Sequence, residues 1–188
     1  MAIRIYIDQG HNPNPPNTGA EGNGYREQDI TYVVGQSLAS LLRNDSRFEV
    51  RLSRPTQSTQ LGTSNASSLR VRVNDANSWG ADYFISIHTN ASVSQEARGT
   101  EVLVYSSPSV SASLAEDVLR EVTEITGFPS RGVKLRPGLY ILRKTVMPAI
   151  LVELGFISNP YEANFMANNP SLFAQGIYRG LLDYLSLS

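Results

Sequence analysis

The sequence predicts an α/β fold, a single domain in which a twisted, mostly parallel sheet of about six strands has helices on both faces. Short runs rich in β-branched residues alternate along the 188 residues with longer segments of helical periodicity. The runs at 83–87 and 149–152 are almost entirely apolar, which is typical of strands buried on both faces of a parallel sheet. No internal repeat or linker divides the chain, so we predict one domain over residues 1–188.

In the first half of the chain, strand and helix patterns follow one another closely. Residues 3–7 predict the first strand. The Asn-, Pro- and Gly-rich segment 10–25 after it is long for a strand-to-helix connection of about 2–6 residues, which favours a functional loop. Residues 27–43 place their apolar side chains on one face of a helix. The next predicted elements are a half-buried or edge strand at 48–52, a polar loop at 54–64, and a helix from Ser67 or Ser68 to about Trp79.

The second half continues this alternation. A helix is predicted to begin after Pro108-Ser109 and to end at Gly127. Asn159-Pro160 and Asn169-Pro170 each place an N-cap residue before a proline at the first helical position, and the last helix is predicted to end near Leu185. The remaining predicted elements are strands at 83–87, 101–105, 139–142 and 149–152, a polar loop at 90–99 and a basic loop at 131–137.

Composition excludes several classes of function. The net charge of −1 gives no reason to expect a nucleic-acid partner or an anionic membrane surface. No apolar run approaches the roughly 18 residues of a membrane span. The chain passes from Met1 directly into a strand pattern, so no secretory signal is predicted. Without cysteine there is no thiolate nucleophile and no cysteine-based zinc site.

The two histidines of the chain both lie at the ends of predicted strands. His11 comes just past the first strand, and His88 closes the run at 83–87. Because the carboxyl ends of parallel strands form the ligand-binding edge of such a sheet, the pair predicts a metal site. A hydrolytic zinc site needs three protein ligands and one open position, so the third ligand here must be Asp or Glu.

Glu27 is the best candidate for that third ligand, because the start of the first helix lies at the same edge of the sheet as the end of the first strand. We expect Asp8, which directly precedes the turn, to fix the loop instead. Glu153 ends an apolar run and is the candidate general base. Partial burial would raise its pKa, and a nearby zinc ion would oppose that rise.

Each of these residues also has a simpler interpretation when taken alone. A histidine at a strand end is more often packed or exposed than a ligand. A carboxylate such as Glu27 is favoured at any helix start by the helix dipole, and Glu153 could pair with a nearby arginine. The basic residues of 131–144 could form a solvated loop as readily as a substrate site.

Together, the motifs around these residues resemble the zinc-dependent N-acetylmuramoyl-L-alanine amidases of bacterial cell-wall metabolism, of the amidase-3 type. The resemblance covers nearly the whole chain, and its most specific parts end in His88 and Glu153. The motifs are Asp8-Gln9-Gly10-His11, Glu27 with Asp29, residues 84–91, Arg131-Gly132-Val133-Lys134, Leu142-Arg143 and residues 147–156.

The resemblance implies a ligand set, a reaction and a location. It implies that His11, Glu27 and His88 bind one zinc ion, that Glu153 is the catalytic carboxylate, and that Asn90 and Arg143 contact substrate. The reaction implied is hydrolysis of the amide between the lactyl group of N-acetylmuramic acid and L-alanine, in peptidoglycan or a muropeptide. The protein is expected to be monomeric and to act outside the cell or in the cell wall, as an excised domain, a phage lysin or a sporulation enzyme.

The sequence departs from the family pattern near His11. Gln9 stands where the family commonly has proline, Asn12 stands where it has glycine, and the Asn14-Pro15-Pro16 segment is unusual. These changes leave the ligands intact and bear on the shape of the neighbouring groove. No inserted helix long enough to block the site is recognisable, so we expect activity without an activator.

Two other functions remain open on the sequence. One is another zinc peptidase, such as a carboxypeptidase that uses the basic stretch 131–144 to bind a free carboxylate. The other is a non-catalytic wall-binding module that retains the fold.

Overall fold

The computed structural model describes residues 2–188, and a six-stranded sheet organises them. The sheet order is β4-β1-β5-β8-β6-β7, with β6 antiparallel to β8 and the other neighbours parallel. The predicted fold class is therefore confirmed. The strands are β1 (Ile3–Gln9), β4 (Phe48–Leu52), β5 (Tyr83–Asn90), β6 (Thr100–Val104), β7 (Ser130–Leu135) and β8 (Ala149–Phe156), and β2 (Glu21–Gly22) pairs with β3 (Tyr25–Arg26) in a small antiparallel hairpin.

Helices cover both faces of the sheet, as predicted. The larger hydrophobic cluster lies under α1, α3 and α6, and the smaller one under α2 and α4. The packing of α3 against α6 is close, because a Cβ atom on Gly180 would lie 2.4 Å from the Cα atom of Val118. The helices are α1 (Glu27–Arg43), α2 (Asn65–Trp79), α3 (Val110–Thr126), α4 (Tyr140–Lys144), α5 (Pro160–Asn168) and α6 (Pro170–Tyr184).

Two predicted elements were wrong. The basic stretch predicted as a loop contains the edge strand β7 (Ser130–Leu135), and the segment predicted as a strand contains the one-turn helix α4 (Tyr140–Lys144). The alternation of β7 is hidden because none of its residues is buried and Gly132 adopts a φ of +83° where the register with β6 shifts. A helix of five residues is too short to show a helical period.

Helix starts were predicted with partial success. Asn159 caps α5 as expected, since its side chain accepts hydrogen bonds from the backbone of Tyr161 and Glu162. Asn169 precedes α6 but makes no such hydrogen bond. Helix α2 begins earlier than predicted, because Ser64 is its N-cap and Ser67 is the third helical residue of a reciprocal capping box.

None of the helices within residues 2–188 combines the length and the apolar character that crossing a membrane requires.

Candidate metal centre

The two histidines meet at the carboxyl ends of β1 and β5. His88 lies within β5, which continues to Asn90, and His11 follows β1 in a left-handed conformation with φ +66°. The two strands can approach because residue 10 is glycine, where a Cβ atom would lie 2.6 Å from His88 Cε1. As a result the imidazole rings lie edge to face, with centroids 4.8 Å apart.

Glu27, the first residue of α1, lies against both rings. Its Oε1 is 2.9 Å from Nδ1 of His88, and its Oε2 is 3.3 Å from Nε2 of His11. The same carboxylate accepts backbone hydrogen bonds from Thr89 and Ala20, both at 2.9 Å. These four contacts fix the carboxylate, whose residue is only 3% exposed.

Electrostatics keep Glu27 ionised. Burial alone would raise the pKa of Glu27, but hydrogen bonds to His11 and His88 outweigh that effect and hold the pKa well below its usual range. A buried anion facing two imidazoles is the charge arrangement that a divalent cation would complete.

The geometry of the three side chains fits a metal ion. One ligand atom from each of His11, Glu27 and His88 lies within 4.8 Å of the others. Zinc bonds of about 2.0–2.2 Å in a tetrahedron place neighbouring ligand atoms about 3.3–3.6 Å apart. The group therefore needs little movement to close around an ion, and its two nitrogens and one carboxylate match the donors of hydrolytic zinc sites.

Glu153 lies beside this group on the neighbouring strand. It is the register partner of His88 across β5 and β8, and of Glu101 across β8 and β6. Its Oε2 atom is buried and has no hydrogen-bond partner within residues 2–188. Burial, reinforced by the charges of Glu27 and Glu101, raises the pKa of Glu153 to about 8, and Arg136 opposes the rise. An unpartnered carboxyl group with such a pKa can accept and return a proton.

A fully buried ion pair supports the loop that bears His11. Nη1 of Arg72, on α2, lies 2.5 Å from Oδ1 of Asp8, and Ser86 donates to the other carboxylate oxygen at 2.8 Å. The same guanidinium donates to the carbonyl oxygens of Gln9 and His11, both at 2.7 Å. Asp8 thus sits where a loop-fixing residue was expected, and Arg72 is the residue through which it reaches His11.

Two of the departures from the family pattern near His11, Gln9 and Asn12, are buried and make structural hydrogen bonds. Gln9 accepts a hydrogen bond from the backbone of Arg54 at 2.9 Å, and both Gln9 and Asn12 are fully buried. Asn12 donates to the carbonyl oxygens of Pro16 and Leu61, which ties the loop after β1 to the segment before α2. Both side chains are therefore inaccessible to a substrate and act by holding the loop in place.

The two predicted substrate contacts lie in different places. Asn90, at the end of β5, donates to Oε1 of Glu101 at 3.0 Å and so lies beside the site. Arg143 is exposed on α4, and its neighbour Lys144 accepts a hydrogen bond from Asn77 in the last turn of α2, towards the edge where β8 begins. No hydrogen bond or ion pair described for residues 2–188 joins Arg143 to the three clustered side chains.

Two residues at the site were missed from the sequence, and each left a signal. Glu101 is the one charged residue of the otherwise uncharged strand β6, and it is only 7% exposed. Arg72 falls three residues after Leu69, on the face of α2 that also bears Val73 and Ala76, so its position on an apolar face marked it as a buried charge.

Comparisons with known proteins agree with this fold. The family model described as N-acetylmuramoyl-L-alanine amidase matches residues 5–183. The chain is 36% identical over 180 residues to the N-acetylmuramoyl-L-alanine amidase CwlM of Bacillus licheniformis and 35% identical over 182 residues to the sporulation-specific N-acetylmuramoyl-L-alanine amidase of Bacillus subtilis (strain 168). Both alignments cover 95% of this chain, which spans 65% of the length of each relative.

A solved structure is similar over the whole domain. The catalytic domain of CwlV, an N-acetylmuramoyl-L-alanine amidase from Bacillus (Paenibacillus) polymyxa var. colistinus, aligns with a TM-score of 0.87. The two chains are 29% identical, and the alignment covers 99% of each.

Proposed function

This chain belongs to the N-acetylmuramoyl-L-alanine amidase family, and we propose on that premise that it is a zinc-dependent hydrolase of peptidoglycan. The bond cleaved is the amide between the lactyl group of N-acetylmuramic acid and L-alanine of the stem peptide. The observation that supports this most strongly is the meeting of His11, Glu27 and His88 within 4.8 Å, with Glu153 as the register partner of His88.

In this proposal, His11, Glu27 and His88 hold one zinc ion. When bound there, zinc would supply Lewis acidity, which would polarise the scissile carbonyl and lower the pKa of water so that a nucleophile is available at neutral pH. The buried ion pair between Arg72 and Asp8 holds the backbone of His11, so that its ring stays aimed at Glu27.

Glu153 transfers the protons of the reaction. As general base it takes a proton from the attacking water at its buried carboxylate, and as general acid it returns that proton to the L-alanine nitrogen as the amide bond breaks. Glu153 must be ionised for the first step, and a cation held by His11, Glu27 and His88 would favour that form by lowering the pKa of the neighbouring carboxyl group.

The proposal extends to the setting of the enzyme. Residues 1–188 act as one catalytic domain, work as a monomer, and need no activator. The site of action is the cell wall, outside the cell, because the substrate is located there. Asn90 contributes to the substrate groove through its position beside Glu101.

The decisive experiment digests purified peptidoglycan and labels the groups that are freed. New L-alanine amino termini without new reducing sugars support the amidase. Loss of a single terminal residue from a defined muropeptide would indicate a carboxypeptidase. Wall binding without hydrolysis, even after the protein has been supplied with zinc, would indicate a binding module. Size-exclusion chromatography with light scattering tests the monomer, since a stable dimer would contradict it.

A further inference from the structure

Three carboxyl- or imidazole-bearing residues form a row across the sheet, and Arg131 lies at the far end of it. His88, Glu153 and Glu101 are successive register partners on β5, β8 and β6. Register partners point to the same face of a sheet, and adjacent strands are about 4.8 Å apart. Arg131 belongs to β7, the next strand, and reaches back over β6, where its Nε lies 3.2 Å from Oε2 of Glu101.

The guanidinium of Arg131 is held in place but remains open to solvent. Its carbon atom lies 5.0 Å from the centroid of the Phe156 ring, and Nη1 donates to the carbonyl oxygen of Arg98 at 3.3 Å. The side chain of Arg131 is 42% exposed, whereas that of Glu101 is 9% exposed. Within residues 2–188, Nη2 of Arg131 has no hydrogen-bond acceptor, so its N–H groups are free to donate to a ligand. A guanidinium fixed in this way is suited to bind a carboxylate.

The other cations of the same basic stretch belong to residues further along the sheet from the edge that bears His11 and His88. Lys134 is the register partner of Leu103, two residues along β6 from Glu101 and towards the opposite edge of the sheet. Arg143 lies on α4, near the edge where β8 begins. Arg136 follows β7 and donates its backbone N–H to the carbonyl oxygen of Val104, and its charge also acts on Glu153. Arg131 is the cation of this stretch whose guanidinium is held by hydrogen bonds beside Glu101.

The separation between β8 and β7 is of the same order as the spacing of groups along a stem peptide. Two strand spacings, about 10 Å, separate β8 from β7, and Arg131 covers part of that distance by reaching back to Glu101. In the substrate, a carboxylate on the residue after L-alanine lies about two residues from the scissile carbonyl, or roughly 7 Å in an extended chain. In stems whose second residue is D-glutamate linked through its side chain, that group is a free α-carboxylate. In amidated stems it is a neutral carboxamide.

We propose that Arg131 binds the α-carboxylate of the second stem residue, on the leaving-amine side of the scissile bond, and thereby selects ionised over amidated stems. This inference rests on the proposed amidase activity and adds a specificity-determining residue to it. Binding of this carboxylate by Arg131 neither forms nor breaks a covalent bond, so the proposed cleavage reaction is unchanged.

The test uses two muropeptides that differ only in that group, one with a free α-carboxylate and one with the carboxamide. The release of L-alanine amino termini gives kcat/KM for each substrate with the wild type, Arg131→Gln and Arg131→Lys. Lys144→Gln is the matched control, because it removes an exposed cation of the same stretch, on α4. Zinc content and melting temperature of each variant are measured alongside.

We expect the wild type to prefer the ionised substrate by about tenfold or more, because a charge-assisted hydrogen bond is replaced by a neutral contact. Arg131→Gln should reduce that ratio towards one by slowing only the ionised substrate. Arg131→Lys should keep part of the preference, and Lys144→Gln should keep all of it.

Equal rates of the wild type on both substrates would overturn the proposal without any variant. An equal loss of kcat/KM on both substrates in Arg131→Gln would also overturn it. That result would mean that Arg131 only holds Glu101 in place and does not contact the substrate carboxylate. In either case L-alanine termini still appear, so the amidase assignment stands. Their absence from both substrates would instead refute the amidase assignment itself.

Discussion

Replacing Arg72 by methionine tests the support beneath the metal centre. The substitution roughly preserves the side-chain volume but leaves the carboxylate of Asp8 buried without its cation. It also removes the hydrogen bonds that Arg72 donates to the backbone carbonyl oxygens of Gln9 and His11. Breaking a buried ion pair by removing one partner lowers the free energy of unfolding by about 3–5 kcal/mol. At about 2.1 cal/mol/K per residue, the unfolding entropy of 188 residues converts this to a drop of about 8–13 °C in melting temperature.

The assay is thermal unfolding of the metal-free protein, followed by competition for zinc against a chelator of known affinity. Arg51→Met is the control, because the pair of Arg51 with Asp75 is also an arginine–aspartate contact, at 3.0 Å, but its side chains are 44% and 41% exposed. An exposed pair contributes about 0–1 kcal/mol, which is at most about 3 °C by the same conversion.

Zinc affinity distinguishes a role of Arg72 in positioning His11 from a general effect on stability. Leu114→Ala creates a cavity in the larger hydrophobic cluster, under α3, and lowers stability by a comparable 2–5 kcal/mol. We expect Arg72→Met to weaken zinc binding about tenfold or more, and Leu114→Ala to leave it unchanged. If Arg72→Met lowered the melting temperature no more than Arg51→Met, or bound zinc as tightly as Leu114→Ala, the reasoning about this ion pair would be wrong.

Three further predictions concern the base, the pH dependence and the helix packing. Glu153→Gln should keep zinc but lose about 10²–10⁴ in kcat, since a positioned general base contributes that much; wild-type turnover would exclude Glu153 as the base. Burial would raise the pKa of Asp8, but Arg72 holds it below its ordinary value. The pair therefore stabilises the fold above about pH 4, the unfolded value, and loses that contribution as the pH falls further. The difference in unfolding free energy between wild type and Arg72→Met should accordingly narrow in acid, as denaturant titrations at several pH values can check. Gly180→Ala should lower stability by about 1–3 kcal/mol through overpacking against α3, whereas Gly138→Ala, with no atom near its added methyl group, should change it little.

Much of the sheet was predictable because buried strands and long amphipathic helices leave strong patterns. Helix α1 (Glu27–Arg43) begins and ends where predicted, since its apolar face spans nearly five turns. The sheet has six strands as expected, but one of them is not the predicted one. The edge strand Ser130–Leu135 was mistaken for a loop because an edge strand faces solvent and needs no buried alternating side chains.

The candidate site was predictable where chemistry limited the choice and not where tertiary contacts decided it. With two histidines and no cysteine, few residues could complete a metal group, and the structure brings His11, Glu27 and His88 together. Their role as ligands stays a prediction. Glu101 and Arg72 escaped notice because their importance comes from register and burial across strands and helices distant in sequence.

The most direct test of the metal-dependent amidase titrates the metal-free protein with zinc and counts new L-alanine amino termini released from purified peptidoglycan. We predict no release without metal and a linear rise that ends at one zinc ion per chain. The same titration of His88→Ala should give no release at that stoichiometry. Full release by the metal-free protein, or an unchanged titration in His88→Ala, would contradict the assignment of His11, Glu27 and His88 as the zinc ligands.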